Sequence, residues 1–220
     1  MGRPHRTSRD QRRRTHQQNF IIDPGIVERL VADVVAGDLV VDLGAGSGAL
    51  TVACAAAGAA VIAVEHDDHW CAHLRTRVRN AGLSDNVRVV QGDLRTVDLP
   101  RGQWRVVANP PFGLTTALLH RLFDDPRHAP DRADLVLQWE VARKVAASPP
   151  RTLLGASWAP WWDLRLVQRI PRTAFRPAPR VDAGWLRARR RDPGILAADL
   201  GPAWASFLRT QWPPSGRPPR

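Results

Sequence analysis

Cysteine is nearly absent from the 220 residues. Cys54 and Cys71 stand seventeen apart and form no CxxC pair, which excludes a disulfide framework and offers no zinc-ligand spacing. No apolar run reaches the roughly 18 residues that cross a bilayer. The first residues, Met1-Gly2-Arg3-Pro4-His5-Arg6, lack the apolar core of a secretion signal. A cytoplasmic protein with no membrane partner is therefore expected. Lysine is scarcer still, Lys144 standing alone among 32 basic residues. A base-composition bias in the gene gives the same preference, so nothing is drawn from arginine over lysine. Acid is short too: 21 Asp and Glu leave a net charge of +11, an excess that points to a polyanion, with nucleic acid the usual one. Hydrophobic residues are present in ordinary measure at 44%, enough for one well-buried domain with extensions.

Along the chain, Arg3, Arg6, Arg9 and Arg12-Arg13-Arg14 lie in a stretch without apolar periodicity. Residues 1–18 read as a disordered basic arm. Asp23-Pro24 is a helix start with proline in the first turn, and Ile26, Val27, Leu30, Val31, Val34 and Val35 recur at helical spacing up to Gly37. Apolar runs at 39–43, 60–64, 87–91, 104–108 and 135–139 read as buried strands. Helical stretches fall between them, including one through Phe123 capped by Thr115 or Thr116 and a short one at 140–147. Residues 164–170 and 184–189 form a closing strand pair, joined by a rigid basic connector at 175–182. This alternation predicts an α/β, Rossmann-like sheet with helices on both faces over residues 19–190. Residues 191–220 are a short Pro/Arg-rich extension with at most one helix, at 203–211.

Two places carry chemistry. The strand at 39–43 runs into Gly44-Ala45-Gly46-Ser47-Gly48, and the next strand ends at Glu65, 21 residues after Gly44. Strand, glycine turn, helix, strand and terminal carboxylate make a nucleotide cradle in which Glu65 takes two ribose hydroxyls. The spacing is GxGxG, with alanine at position 49, which argues against a dinucleotide and for S-adenosylmethionine, a cofactor without a pyrophosphate. Asp93, just after the strand at 87–91, can accept from the amine of that cofactor's adenine. The second place is Asn109-Pro110-Pro111-Phe112, which two prolines force out of the strand at the sheet edge where ligands bind. An Asn oxygen and a proline-held carbonyl both accept from an exocyclic amine, and Phe112 offers a stacking face.

Two patterns are set aside. His66, His69 and His73 share a helix surface with Asp67, Asp68 and Cys71, but nothing completes a ligand set, so no metal is expected. Trp158, Trp161 and Trp162 read as a loop packed on the core or the rim of the target-base pocket, rather than as a base-stacking platform.

Gln18-Asn19-Phe20, the run 41–48, Val64-Glu65, Gly92-Asp93-Leu94, Asn109–Phe112, Gln138-Trp139-Glu140-Val141-Ala142 and the segment 175–182 together resemble the rRNA adenine N6-methyltransferases, nearest the erythromycin-resistance (Erm-type) enzymes of 23S rRNA. The resemblance runs over about residues 15 to 190 as a set of motifs. It implies that Asn19 and Ile21 close over the methionine end of S-adenosylmethionine, with Asp42, Gly44 and Gly46 in the cofactor loop. Glu65 would hold the ribose, while Asp93 and the backbone of Leu94 read the adenine. Asn109 and Pro110 would grip the target amine beside the cofactor, with Phe112 on the target base. The implied function is methylation of adenine N6 in 23S rRNA, conferring macrolide-type resistance, by a monomer whose partner is ribosomal RNA. Pro111 replaces a usual aliphatic residue, Asp42 a usual Glu, and the family's carboxy-terminal helical domain is reduced. The rivals are a 16S rRNA dimethyltransferase of ribosome maturation, a DNA adenine methyltransferase, and a non-catalytic RNA-binding protein.

Overall fold

The structure is a computed structural model and describes residues 18–212; nearly all of the expected basic arm and the last eight residues lie outside the described residues. Seven strands form one sheet: β2 (Leu39–Leu43), β3 (Ala60–Glu65), β4 (Val87–Gln91), β5 (Arg105–Ala108), β6 (Arg132–Gln138), β7 (Trp162–Ile170) and β9 (Ala183–Arg190), in the order β4-β3-β2-β5-β6-β9-β7. The first five in sequence are parallel, while β9 runs antiparallel between β6 and β7. The near-continuous apolar character of β2, β5 and β6 follows from burial on both faces. Helices α1 (Pro24–Val31), α2 (Ala49–Ala56) and α3 (Asp68–Asn80) cover one face. The other is covered by α4 (Thr115–Phe123), α5 (Trp139–Val145) and α6 (Leu153–Trp158). The expected α/β sheet with helices on both faces is what forms. No helix among the described residues is long and apolar enough to cross a membrane.

The topology selects a site. From β2 the chain moves outward through β3 to β4, then returns to the other side of β2 as β5. Beyond the carboxyl ends of β2 and β5 the connections diverge, leaving a crevice. The glycine turn leaves β2 there, and Asn109 leaves β5. A two-stranded ribbon roofs this crevice: β1 (Phe20–Ile21) pairs with β8 (Phe175–Arg176), Phe20 opposite Arg176. Strand β9 enters at this edge, Ala183 opposite Gln138, and leaves at the far one, Arg189 opposite Arg132. At that far edge Asp134 is fully buried and accepts from Trp185 Nε1 at 2.8 Å, and from Arg132 Nε and Arg187 Nε, each at 2.7 Å. Three charge-assisted bonds compensate the burial of the carboxylate.

Some local expectations need correction. Helix α1 begins as expected, Asp23 accepting from Ile26 N at 3.2 Å, but ends at Val31. Val34 N bonds Val31 O at 2.8 Å in a tight turn that keeps Val34 in the core and leaves Val35 60% exposed. Neither Thr115 nor Thr116 caps α4. A 3-10 turn at Phe112–Leu114 leads into that helix and puts Leu114 in the capping position. Thr115 is already helical, so its side chain cannot reach forward as a cap, and its hydroxyl is buried without a partner among the described residues. Trp158, Trp161 and Trp162 are buried against Phe123 and its neighbours, the core-packing arrangement, but not as the expected loop: Trp158 ends α6 and Trp162 begins β7. Beyond β9 the described extension holds one α-helix, α7 (Gly201–Gln211), tied to α6 by Trp204 Nε1 bonding Ala156 O at 3.1 Å.

Candidate active site

The glycine turn is fixed by its own backbone and by one carboxylate. Gly44 N and Ala45 N both donate to Val64 O, at 2.9 and 3.0 Å. Gly46 N donates to Glu65 Oε2 at 2.9 Å, and Glu65 Oε1 accepts from His66 N at 2.8 Å and Asp67 N at 2.9 Å. Glu65 is thus a buried staple between the turn and the start of α3. Three of its roughly four acceptor positions are used. Gly44 and Gly46 both have positive φ, +85° and +51°. A Cβ on Gly44 would sit 3.0 Å from Pro111 Cδ, and one on Gly46 would meet the Phe20 ring at 2.6 Å. The backbone must come this close because the turn, the Asn-Pro-Pro segment and the β1–β8 roof converge on one point.

Asn19, Ile21, Asp42, Gly44, Gly46 and Asn109 line a single cleft that is open to solvent. Asn109 Nδ2 donates to Asn19 O at 2.7 Å, which commits the amide orientation. Its Oδ1 is consequently buried with no partner among the described residues. A buried unpaired carbonyl costs about 1–3 kcal/mol, so the cleft is short of one donor there. Asp42 repeats the pattern. Thr51 Oγ1 donates to its Oδ2 at 2.7 Å, while Oδ1 is buried and unpartnered. Burial, helped by the nearby Glu65 carboxylate and opposed by the Thr51 bond, pushes the Asp42 carboxyl up to about 7. Asn109 Oδ1, and Asp42 Oδ1 when that carboxyl is ionised, are acceptors without donors in a cradle closed to side chains, which suits a ligand that brings amine groups.

The remaining expected residues surround that cleft without lining it. Leu94 Cδ2 lies 3.7 Å, and Pro110 Cα 3.4 Å, from where a Cβ on Gly44 would be. Glu65 reaches the turn through Gly46. Asp93 is engaged by Arg95, whose backbone N and Nε each donate to Asp93 Oδ1 at 2.9 Å and whose Nη2 lies 2.5 Å from Oδ2. These bonds hold the Asp93 carboxyl at about 2. Phe112 is half-buried against the cluster that holds Ile21 and Phe175, with part of its surface still open.

Three contacts had no expectation attached. The Phe20 ring also packs on Trp70, centroids 4.5 Å apart, making an aromatic cover beside the turn. Arg77 of α3 donates to Ser47 O at 2.8 Å, pinning the turn from a position thirty residues on that no local pattern marks. The Arg95 grip on Asp93 was legible, since an Asp followed two residues later by its own partner is an Asx-turn pattern.

Comparison with known proteins bears on the chain and the fold as a whole. Residues 9–211 match the family described as ribosomal RNA adenine dimethylase. An "rRNA adenine N-6-methyltransferase" of Corynebacterium diphtheriae is 37% identical over 93% of this chain and 79% of its own length. The "mycinamicin-resistance protein MyrB" of Micromonospora griseorubida is 40% identical over 81% of this chain, which spans only 56% of that protein. A "probable ribosomal RNA small subunit methyltransferase A" of Halobacterium salinarum is 33% identical over 83% of this chain and 64% of its own. Among solved structures, that of the "23S rRNA methyltransferase ErmE" superposes with a TM-score of 0.77 at 26% identity, covering 88% of this chain and 78% of that one.

Proposed function

Because the chain belongs to the ribosomal RNA adenine dimethylase family, we propose that it transfers a methyl group from S-adenosylmethionine to N6 of an adenine in ribosomal RNA. The observation that carries this reading is Asn109 Oδ1, buried and unpartnered at the end of β5. An adenine N6 amine supplies the missing donor. Its lone pair is delocalised into the ring, so the amine is a poor nucleophile. Hydrogen bonds from its two N–H groups to Asn109 Oδ1 and the Pro110 carbonyl would favour a pyramidal nitrogen with its lone pair directed away from both. The cofactor supplies a methyl already activated on a sulfonium. What remains for the protein is alignment and preorganised polarity. Asn19, Ile21, Asp42, Gly44 and Gly46 would hold the methionine end, Glu65 the ribose, and Asp93 with Leu94 the adenine. Phe112 would face the target base, which must leave its stack to enter. Residues 19–190 make up the catalytic unit of this reading.

Asp42 gives the reading a pH signature. A carboxyl held up near 7 is largely neutral at pH 6 and largely anionic at pH 8. Only the anion attracts a cofactor ammonium, so cofactor affinity should rise over that interval. Asp42→Asn should flatten the rise. Stability runs the other way. The unfolded carboxyl ionises near 3.8 and the folded one near 7, so the unfolded chain binds fewer protons between these values and this group's contribution falls as pH rises through them. Calorimetric titrations at pH 6, 7 and 8 check the first point, and an affinity that does not vary with pH would remove Asp42 from the cofactor site.

Within this reading, 23S rRNA is the favoured substrate and macrolide-type resistance the consequence. The resistance protein at 40% identity, the 23S enzyme among the structures and the aromatic Phe112 support it. The 33% relative with a small-subunit name supports a 16S substrate instead. Primer extension on both rRNAs, from cells with and without the gene, should give a new stop at one adenine in 23S. A stop in 16S alone would transfer the function to ribosome maturation.

A further inference from the structure

The connector and β9 carry a long run of arginines, and the fold divides it between two edges of the sheet. Arg187 is paired with Asp134 and Asp33, and Arg190 with Asp131. Both sit at the end of β9 remote from the site, where their charge is already balanced. Arg189, between them in sequence, is exposed and carries no ion pair among the described residues, but it stands at that same far edge. Arg176 and Arg180 differ in edge as well as in pairing. They are exposed and have neither an ion pair nor a side-chain hydrogen bond among the described residues. Arg176 lies opposite Phe20 in the β1–β8 ribbon. Phe20 in turn packs over Gly46, and the adjoining Asn19 carbonyl holds Asn109. Pro177 and Pro179 fix the backbone between the two arginines, which reduces the entropy lost when the segment binds. An unbalanced pair of guanidinium groups on a stiff lip beside the cleft suits the phosphates of a single strand.

We propose that Arg176 and Arg180 form the phosphate-binding lip that receives the RNA strand carrying the target adenine, and that the arginines at the far end of β9 take no part. This rests on the methyltransferase reading for the identity of the strand. The test uses the full chain, an adenine-containing RNA hairpin and several salt concentrations. The doubly substituted Arg176→Ala/Arg180→Ala protein should bind about tenfold more weakly. Its slope of log affinity against log salt should be shallower by about 1.4, the counterion release of two single-strand phosphates. Its affinity for S-adenosylmethionine and its melting temperature should stay at wild-type values. A charge-matched Arg189→Ala/Arg209→Ala protein, also altered at exposed residues, should bind within twofold of wild type with an unchanged slope, and Arg176→Lys/Arg180→Lys should keep the wild-type slope. Wild-type affinity in the first variant, or an equal loss in the charge-matched one, overturns the lip. If the lip variant loses affinity but wild-type protein transfers no methyl to rRNA, the lip stands and the catalytic reading fails. If wild-type protein methylates rRNA and the lip variant does so with unchanged KM, the lip fails alone.

Discussion

Asn109→Ala is expected to lower methyl transfer by a factor on the order of 100 or more, while cofactor affinity changes only a few-fold. The factor is that of losing one preorganised polar contact to the reacting group, about 2.7–4 kcal/mol. The expectation follows from the two ends of one amide. Nδ2 is committed to Asn19 O at 2.7 Å, and Oδ1 is left buried and unpaired. Alanine removes both. Loss of the Nδ2 bond loosens the roof over the cofactor slightly, because Asn19 is still followed by the β1–β8 pairing. Loss of Oδ1 takes away an acceptor that the target amine needs. Asn109→Asp keeps an acceptor but sets a charge against the Asn19 carbonyl, so it should recover little. Single-turnover kinetics with saturating cofactor separate the two effects. Transfer at wild-type rate in Asn109→Ala would remove this residue from the reaction.

Much of this site is written locally in the chain, and the parts that are not share a cause. The GxGxG turn, Glu65 and the Asn-Pro-Pro-Phe segment are legible because each follows an apolar run and breaks it with residues of unusual backbone or polarity. Parallel strands place such breaks on one edge, so the crevice can be foreseen from the order of elements. Arg77 on Ser47 O and Phe20 over Gly46 belong to another class. Each joins segments distant in sequence, with residue types that would suit an open surface equally well. The division of the arginine run has the same origin. Residues 176 to 191 look like one basic stretch, but an eight-residue strand carries its two ends to opposite sides of the sheet. Only the register against β6, and the acids waiting at the far edge, show which charges are already balanced. The caps of α4 misled for a smaller reason: a 3-10 turn supplied Leu114 N to Pro111 O at 2.9 Å, leaving Thr115 and Thr116 with no capping role.

Glu65→Ala should weaken S-adenosylmethionine binding by about two orders of magnitude and, unlike Asn109→Ala, should also lower the melting temperature. On the ligand side, the turn and α3 leave the carboxylate about one free acceptor position, so one ribose hydroxyl rather than two would gain a charge-assisted bond of about 1.5–3 kcal/mol. On the protein side, the same carboxylate accepts from Gly46 N, His66 N and Asp67 N. Alanine leaves those donors without their acceptor in a place that is nearly closed to solvent. The turn after β2 and the first turn of α3 would then lose the tie that sets their separation. Glu65→Gln sharpens the argument. Its single carbonyl oxygen can serve His66 N and Asp67 N, but its amide nitrogen would confront Gly46 N, donor against donor. The glutamine variant should therefore recover most of the stability lost in the alanine variant, yet little of the cofactor affinity. Thermal melts with and without cofactor, alongside calorimetric titration, measure both quantities. A dissociation constant unchanged in either variant would mean that Glu65 only staples the turn, and the ribose contact would have to be assigned elsewhere on the crevice.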